Sequence, residues 1–306
     1  PDFPTHMIRR ISIIAAASCI CFTAHAAERI KVLIVTGQNN HNWVHSTPLI
    51  RELLEETGRF EISISTTPTK EAPKDSWQDW RPGFGRHQVV LSDYNGDMWP
   101  ENIKDEFVRY VNDGGKVVLV HAANNAFTGW KEYEAMAGLL WRPATYGTRI
   151  YLDGNLNAVR VPHGEGPGAG HGAGHSYQIT TVDKSNPIFS DLPQTWMHVS
   201  DELYHGQRGP AENMHILAAA FSSKESNGTG VIEPLVWWIP FGKGKIITLL
   251  PGHLGNNAGH TTTFDCVGFR TVLQRSVEWI ATENVTIPRP AEFPTKEAIS
   301  VIPALK

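Results

Sequence analysis

RIKVLIVTGQNNHNWVHSTPLIRELLEETGRFEISISTTP, residues 29–68, is the stretch that decides the fold. A charged lead-in opens onto a nearly continuous apolar run that stops at Gly37, the pattern of a strand covered on both faces, as in a parallel sheet. A polar loop follows. TPLIRELLEETG then places apolar residues at helical spacing and ends in glycine, the stop signal of an amphipathic helix. FEISISTTP reads as the next strand.

The succession repeats along the chain. HQVVLSDYNG is a third strand ending in polar residues, and KVVLVHAANNAF is a fourth. Between them PENIKDEFVRYVNDGG carries proline at a helix start and a Gly-Gly exit. Later, ILAAAF, VWWIP and KIITLLPG read as strands, the last two joined through Phe241-Gly-Lys-Gly as a hairpin, and GFRTVLQRSVEWIATEN as a final helix. Strands alternating with helices predict an α/β fold, a doubly wound, mostly parallel sheet with helices on both faces. One domain over residues 27–287 with a C-terminal antiparallel excursion, then an extended proline-containing tail over 288–306, is the expected organisation.

Composition narrows the function. The 306 residues carry a net charge of −4 at pH 7 and no basic stripe, which disfavours nucleic acid and anionic membrane surfaces as partners. Residues 7–26 read as a start, Arg9-Arg10, an apolar run and Ala24-His25-Ala26, the three regions of a secretory signal peptide cut after Ala26. The apolar run is too short for a membrane span. The expected location is therefore periplasmic or secreted, with residues 1–6 an upstream extension. Cleavage would remove Cys19 and Cys21 and leave Cys266 alone, excluding an intramolecular disulfide and a cysteine metal cluster. Ten tryptophans and fourteen histidines exceed what a bland scaffold needs, and aromatic faces with polar edges suit sugar rings.

In open α/β sheets ligands bind beyond the carboxyl ends of the strands. The first strand delivers Gln38, Asn39, Asn40 and His41 to that edge, the third Asp93, Tyr94 and Asn95, and the fourth His121, Asn124 and Asn125. The strand before PGHLGN delivers His253 and Asn256. The segment HVSDELYHG adds His198, Asp201, Glu202, Tyr204 and His205. No GxGxxG, GxxxxGK[ST] or GxSxG occurs, so a nucleotide cofactor is not expected. Imidazoles beside an Asp-Glu pair can hold a divalent metal or supply a general base. The glycine-rich run PHGEGPGAGHGAGHSYQ, residues 162–178, reads as a loop, either a solvated segment or a lid. Of its histidines, His175 is best anchored, because it directly precedes the alternating strand SYQITTV.

These pieces together resemble the ThuA-like family, named for trehalose utilisation. The matching stretches are VLIVTGQNNHNW, LLEETGRFEI, VVLSDYNGDMWP, VNDGGKVVLVHAANNAF, GHGAGHSYQI, HVSDELYHGQRGPAENMHILAAA, EPLVWWIPFGKGKIITLLPGH and CVGFRTVLQRSVEWIATENVTIP, in order over nearly the whole chain after residue 26. The resemblance implies a flavodoxin-like sheet similar to that of class I glutamine amidotransferases. It does not imply their chemistry: His121 stands where those enzymes carry a cysteine after a central strand, so hydrolysis of glutamine through a thiolate is not expected. Members of the family resemble components of pathways in which a glycoside is oxidised at C3 and the keto-glycoside processed further. On that reading a divalent transition metal, zinc as first choice, would sit among His41, His121, His175 and His253. Asp201, Glu202, His121 and His253 would act in catalysis. Asn39, Asn40, Asp93, Asn95, Asn124, Asn125 and Tyr204 would bind sugar hydroxyls, and Trp43 and Trp130 would stack on rings. Two alternatives stay open: a non-catalytic sugar-binding protein, and a metal-dependent hydrolase.

Overall fold

The computed structural model describes residues 1–2, 28–255 and 262–303; the leader-like stretch 7–26, with Cys19 and Cys21, and Asn256 lie outside the described residues. Strand β1 (Ile30–Thr36) runs parallel between β2 (Phe60–Thr66) and β3 (Val89–Ser92), and β3 pairs in parallel with β4 (Lys116–Val120). Successive side chains of a strand point to opposite faces. Val32 and Ile34 join one core with Leu49, Ile50, Leu53 and Leu54 of helix α1 (Trp43–Glu55). Leu33 and Val35 join the other, with Ile103, Phe107 and Val111 of α2 (Glu101–Asn112). A strand covered by helices on both sides needs apolar residues at every position, which is why it reads as a continuous run. Helix α1 begins earlier than TPLIRELL suggests, because the Asn42 carbonyl already accepts from the His45 and Ser46 amides.

A short helix α3 (Lys131–Ala137) precedes the hairpin β5 (Thr148–Leu152) and β6 (Ala158–Val161). Then come β7 (Gly170–His171), β8 (His175–Thr181), β9 (Thr195–Asp201), β10 (Tyr204–His205), β11 (Arg208–Gly209), β12 (His215–Phe221), β13 (Ile232–Phe241) and β14 (Gly244–Leu249). The main sheet runs β2-β1-β3-β4-β14-β13-β12-β8-β9, with β5, β6 and β11 joined to it at β13. β14 is parallel to β4, and every pair beyond it is antiparallel. The result is a mixed α/β sheet, parallel at its centre, whose antiparallel half is far larger than a hairpin excursion. Most of those extra strands are short or carry polar residues on both faces, so they leave little periodic signal.

Helices α4 (Thr262–Asp265) and α5 (Val267–Thr282) close the chain, and every residue of α5 from Val267 to Ile280 is buried. Its charged members have partners: Glu278 accepts from Arg59, Thr286 and Ile287, and Arg275 pairs with Asp191. The following segment is laid across the fold, with Phe293 packed on Trp196 and Val301 bridged to Cys266. No helix among the described residues is long and apolar enough to cross a membrane. Because β1, β3, β4 and β14 run in one direction, the residues that follow each of them gather at one edge.

Candidate functional site

At that edge His41 follows β1, His121 follows β4 and His253 follows β14, while Glu202 arrives from the opposite half, directly after β9. One ligand atom from each of these four side chains lies within 4.8 Å of all the others. Glu202 Oε2 is 3.1 Å from His253 Nδ1, 3.6 Å from His121 Nε2 and 3.8 Å from His41 Nε2. At these ion-pair distances His121 Nε2 and His253 Nδ1, both buried, still lack hydrogen-bond geometry to any partner. Nitrogens that gather around a carboxylate without bonding to it suit a common point between them. Three imidazoles and a carboxylate are a normal ligand set for zinc and its first-row neighbours, so the residues present fit a divalent ion.

The surroundings fix these groups. His121 has φ of +48°, a left-handed conformation that costs a non-glycine residue free energy and is typical of functional turns. Its Nδ1 lies 2.7 Å from the Leu250 carbonyl, so that nitrogen carries the proton and Nε2 presents its lone pair to the cluster. Burial pulls the His41 imidazole below its ordinary pKa, against the opposing effect of Glu202. Burial disfavours the Glu202 carboxylate, yet the imidazoles of His121, His253 and His41 outweigh it and hold the group far below the usual carboxylate range. Burial also opposes the charged form of His253, but Glu202 raises it. A carboxylate so strongly held as an anion is a weak base and a good ligand.

Asp201 has a different place. Its side chain is buried, with Oδ1 accepting from the Glu202 (2.7 Å) and His253 (3.2 Å) amides and Oδ2 from Gly252 (3.1 Å) and His198 Nε2 (3.0 Å). Nδ1 of the same imidazole faces Cys266 Sγ at 3.5 Å. Burial works against the His198 charge, but Cys266 and Asp201 raise its pKa to about 10, and burial works against the Asp201 charge, which His198 restores. Asp201 therefore pins the backbone of two cluster residues from behind. Asp93 is a second such post, buried and accepting from Ser46, Thr47 and Asn39, while Asn39 itself accepts from the His41 amide. Burial pushes its pKa up to about 6.

A cleft of about 520 Å³ opens beside Glu202 and His41, lined also by Asn40, Asn95, Asn125, Thr128, Trp141, Arg142, His171 and Tyr204. Of the predicted sugar-binding residues, Asn40, Asn95, Asn125 and Tyr204 reach it. The structure does not bring the others there. Asn124 is fully buried on Gln207 and the Leu139 carbonyl, Trp130 packs among Phe107, Phe127 and Tyr133, and Trp43 starts α1 without lining the cleft. His175 also stays away from the cluster, its Nδ1 on the Ala173 carbonyl and its ring near Tyr177.

His171 comes instead, with Nε2 3.4 Å from Glu202 Oε1 and Nδ1 on the Gly172 carbonyl. Two features hold its loop. The guanidinium of Arg208, fully buried, donates to the carbonyls of Gly147, Pro162, Glu165 and Pro167. A Cβ on Gly172 would stand 1.6 Å from the Ser226 carbonyl oxygen, so only glycine allows that backbone approach. The glycine-rich run is thus a docked strap, and β7 pairs it to β10. Trp141 and Arg142 carried no motif; their signal lies only in long-range pairing.

The chain matches the ThuA family, described as trehalose utilisation, over residues 31–280. A ThuA-like protein of known structure from Parabacteroides merdae is 38% identical, with a TM-score of 0.83, covering 90% of this chain and 98% of that one. A second, from Bacteroides uniformis, is 16% identical with a TM-score of 0.54 over 87% of this chain and 97% of its own, a likeness of fold alone. A search of curated proteins found no match.

Proposed function

This chain belongs to the ThuA family, and on that premise we propose that it is an exported carbohydrate-catabolism enzyme acting on a 3-keto-glycoside at the His41–His121–His253–Glu202 cluster. The observation that carries the proposal is the convergence of those four ligand atoms beside a cleft that His41 and Glu202 line together with amides, hydroxyls, aromatic rings and the Arg142 side chain. A ketone at C3 acidifies the neighbouring C–H bonds, so elimination, hydration or isomerisation needs a proton acceptor and a means of holding the enediolate. A divalent ion held by the four residues would polarise the ketone oxygen. Proton transfer falls to His171 rather than to Asp201, which is buried, or Glu202, whose carboxylate is surrounded by three imidazoles and would serve as a ligand. His171 lines the cleft with its Nε2 3.4 Å from Glu202 Oε1, and the Gly172 carbonyl fixes its other nitrogen. Asn40, Asn95 and Asn125 would take sugar hydroxyls, Asn95 Nδ2 already donating to Asn40 Oδ1 at 2.6 Å.

The finer fold kinship belongs to the same proposal. A doubly wound, flavodoxin-like sheet related to the glutamine amidotransferases is supported by the two cores on opposite faces and by the left-handed turn at His121. Export is supported by the leader-like pattern of residues 7–26.

Product analysis with a 3-keto-glucoside tests the function. His171→Gln should keep bound metal and lose turnover by about 10²-fold or more, the usual contribution of a general acid–base group. Binding of sugar with no turnover in the wild-type protein would favour the non-catalytic alternative.

A further inference from the structure

Resting on the metal centre of the proposed function, we infer that His41 is its exchangeable ligand: it closes the centre in the resting protein and yields its place to an oxygen of the substrate, while His121, His253 and Glu202 hold the ion. Four protein ligands fill a tetrahedral zinc site, whereas a catalytic site keeps one position open. An ion that polarises a ketone oxygen needs such a position, and the structure marks His41 as the residue that supplies it.

Support from behind separates the imidazoles. A ligating histidine ordinarily donates its second ring N–H to an acceptor. His121 does so, through Nδ1 to the Leu250 carbonyl at 2.7 Å. In His41 it is Nε2 that approaches Glu202, so ligation there leaves the proton on Nδ1, a buried atom with no hydrogen-bond partner among the described residues. The distance of 3.8 Å from His41 to Glu202 Oε2 is also the longest of the three, against 3.6 Å for His121 and 3.1 Å for His253.

Position agrees with this order. Of the three imidazoles only His41 lines the cleft, so its departure opens the ion toward the space that a substrate enters. Glu202 lines the cleft too, but it is the carboxylate that all three imidazoles face. The backbone of His41 is tied, its amide to Asn39 Oδ1 at 3.0 Å and its carbonyl to the Trp43 amide at 2.8 Å. Exchange is therefore a rotation of the side chain, with the loop left in place.

Zinc and cobalt(II) bound to the full chain test the exchange without any turnover. In competition with a chelator, His41→Ala should weaken zinc by no more than about tenfold, the low end of what even a supporting residue contributes, and His121→Ala or His253→Ala by at least about a hundredfold more. The visible spectrum of the cobalt protein reports what joins the ion. Acetohydroxamate, a chelating oxygen donor, should bind cobalt-loaded His41→Ala about tenfold more tightly than wild type, because no imidazole has to be displaced first. His41→Ser gives a second variant with the same two expectations. A zinc loss in the His41 variants equal to that in the other two, or acetohydroxamate binding that is unchanged or weaker, would overturn the exchange. Wild-type protein that takes up neither metal would refute the metal centre itself, so the two failures are distinguishable.

Discussion

Replacing Asp201 by asparagine keeps the shape of the side chain and removes its charge and one acceptor. Each carboxylate oxygen accepts two hydrogen bonds, Oδ1 from Glu202 and His253 and Oδ2 from Gly252 and His198. With the amide oxygen at the Oδ1 position, the Glu202 and His253 amides stay satisfied. The new NH₂ then meets two donors; His198 can answer by presenting Nε2 as an acceptor, but the Gly252 N–H cannot. One buried amide is left unpaired, at about 1–3 kcal/mol, and a charge-assisted bond becomes neutral. The expected total is about 2–4 kcal/mol of stability, read from urea midpoints at constant slope. Because the Glu202 and His253 amides keep their acceptor, metal affinity measured by competition with a chelator should fall only about tenfold, the lower end of the effect of such supporting residues. Wild-type stability together with wild-type affinity would refute the idea that Asp201 holds the cluster from behind. Loss of turnover with both unchanged would instead make Asp201 a participant in the chemistry.

Asp93 gives a pH signature: its folded pKa is raised to about 6 from 3.8, so its contribution is most favourable below about pH 4 and declines as pH rises to about 6. A rise of that size corresponds to roughly 3 kcal/mol. The stability of Asp93→Asn relative to wild type should therefore rise by up to that amount between pH 4 and 7, and a pH-independent difference would contradict the account. Arg208→Met should release the strap, seen as cutting after Glu165 by a glutamate-specific protease at least about tenfold faster; unchanged resistance would show that the strap is held elsewhere. Gly172→Ala must move the strap off Ser226 and should cost about 2 kcal/mol or more by urea denaturation, so a neutral substitution would mean that the close approach is easily relieved.

The parallel half of the sheet was legible because β1, β3 and β4 are buried on both faces and read as apolar runs, and because α1 and α2 carry apolar residues at helical spacing and end at glycine. The antiparallel half was legible only in part: SYQITTV, ILAAAF, VWWIP and KIITLLPG mark β8, β12, β13 and β14, and the other strands left no such signal. Strands such as β5 and β11 exist through pairing with partners tens of residues away, and nothing local marks them. The site divides in the same way. His41, His121 and His253 follow strands that the apolar runs reveal, so their gathering could be read from strand order. Glu202 was visible as half of a carboxylate pair, but its separation from Asp201 into ligand and backbone clamp depends on burial. The sequence favoured His175 over His171, and the structure reverses that order, because the geometry that delivers His171 is set by Arg208 and Gly172. Trp43 and Trp130 were the tryptophans the sequence offered for sugar, and it is Trp141 that the fold places on the cleft.

The central claim is that four side chains from both halves of the sheet make one metal site. Metal content of the purified protein, measured by plasma mass spectrometry after dialysis without chelator, tests it most directly. The expected result is close to one equivalent of a single divalent transition metal in the wild-type protein, lost in His253→Ala while the fold persists by circular dichroism. Wild-type protein without stoichiometric metal, or a His253→Ala variant that keeps it, would contradict the claim.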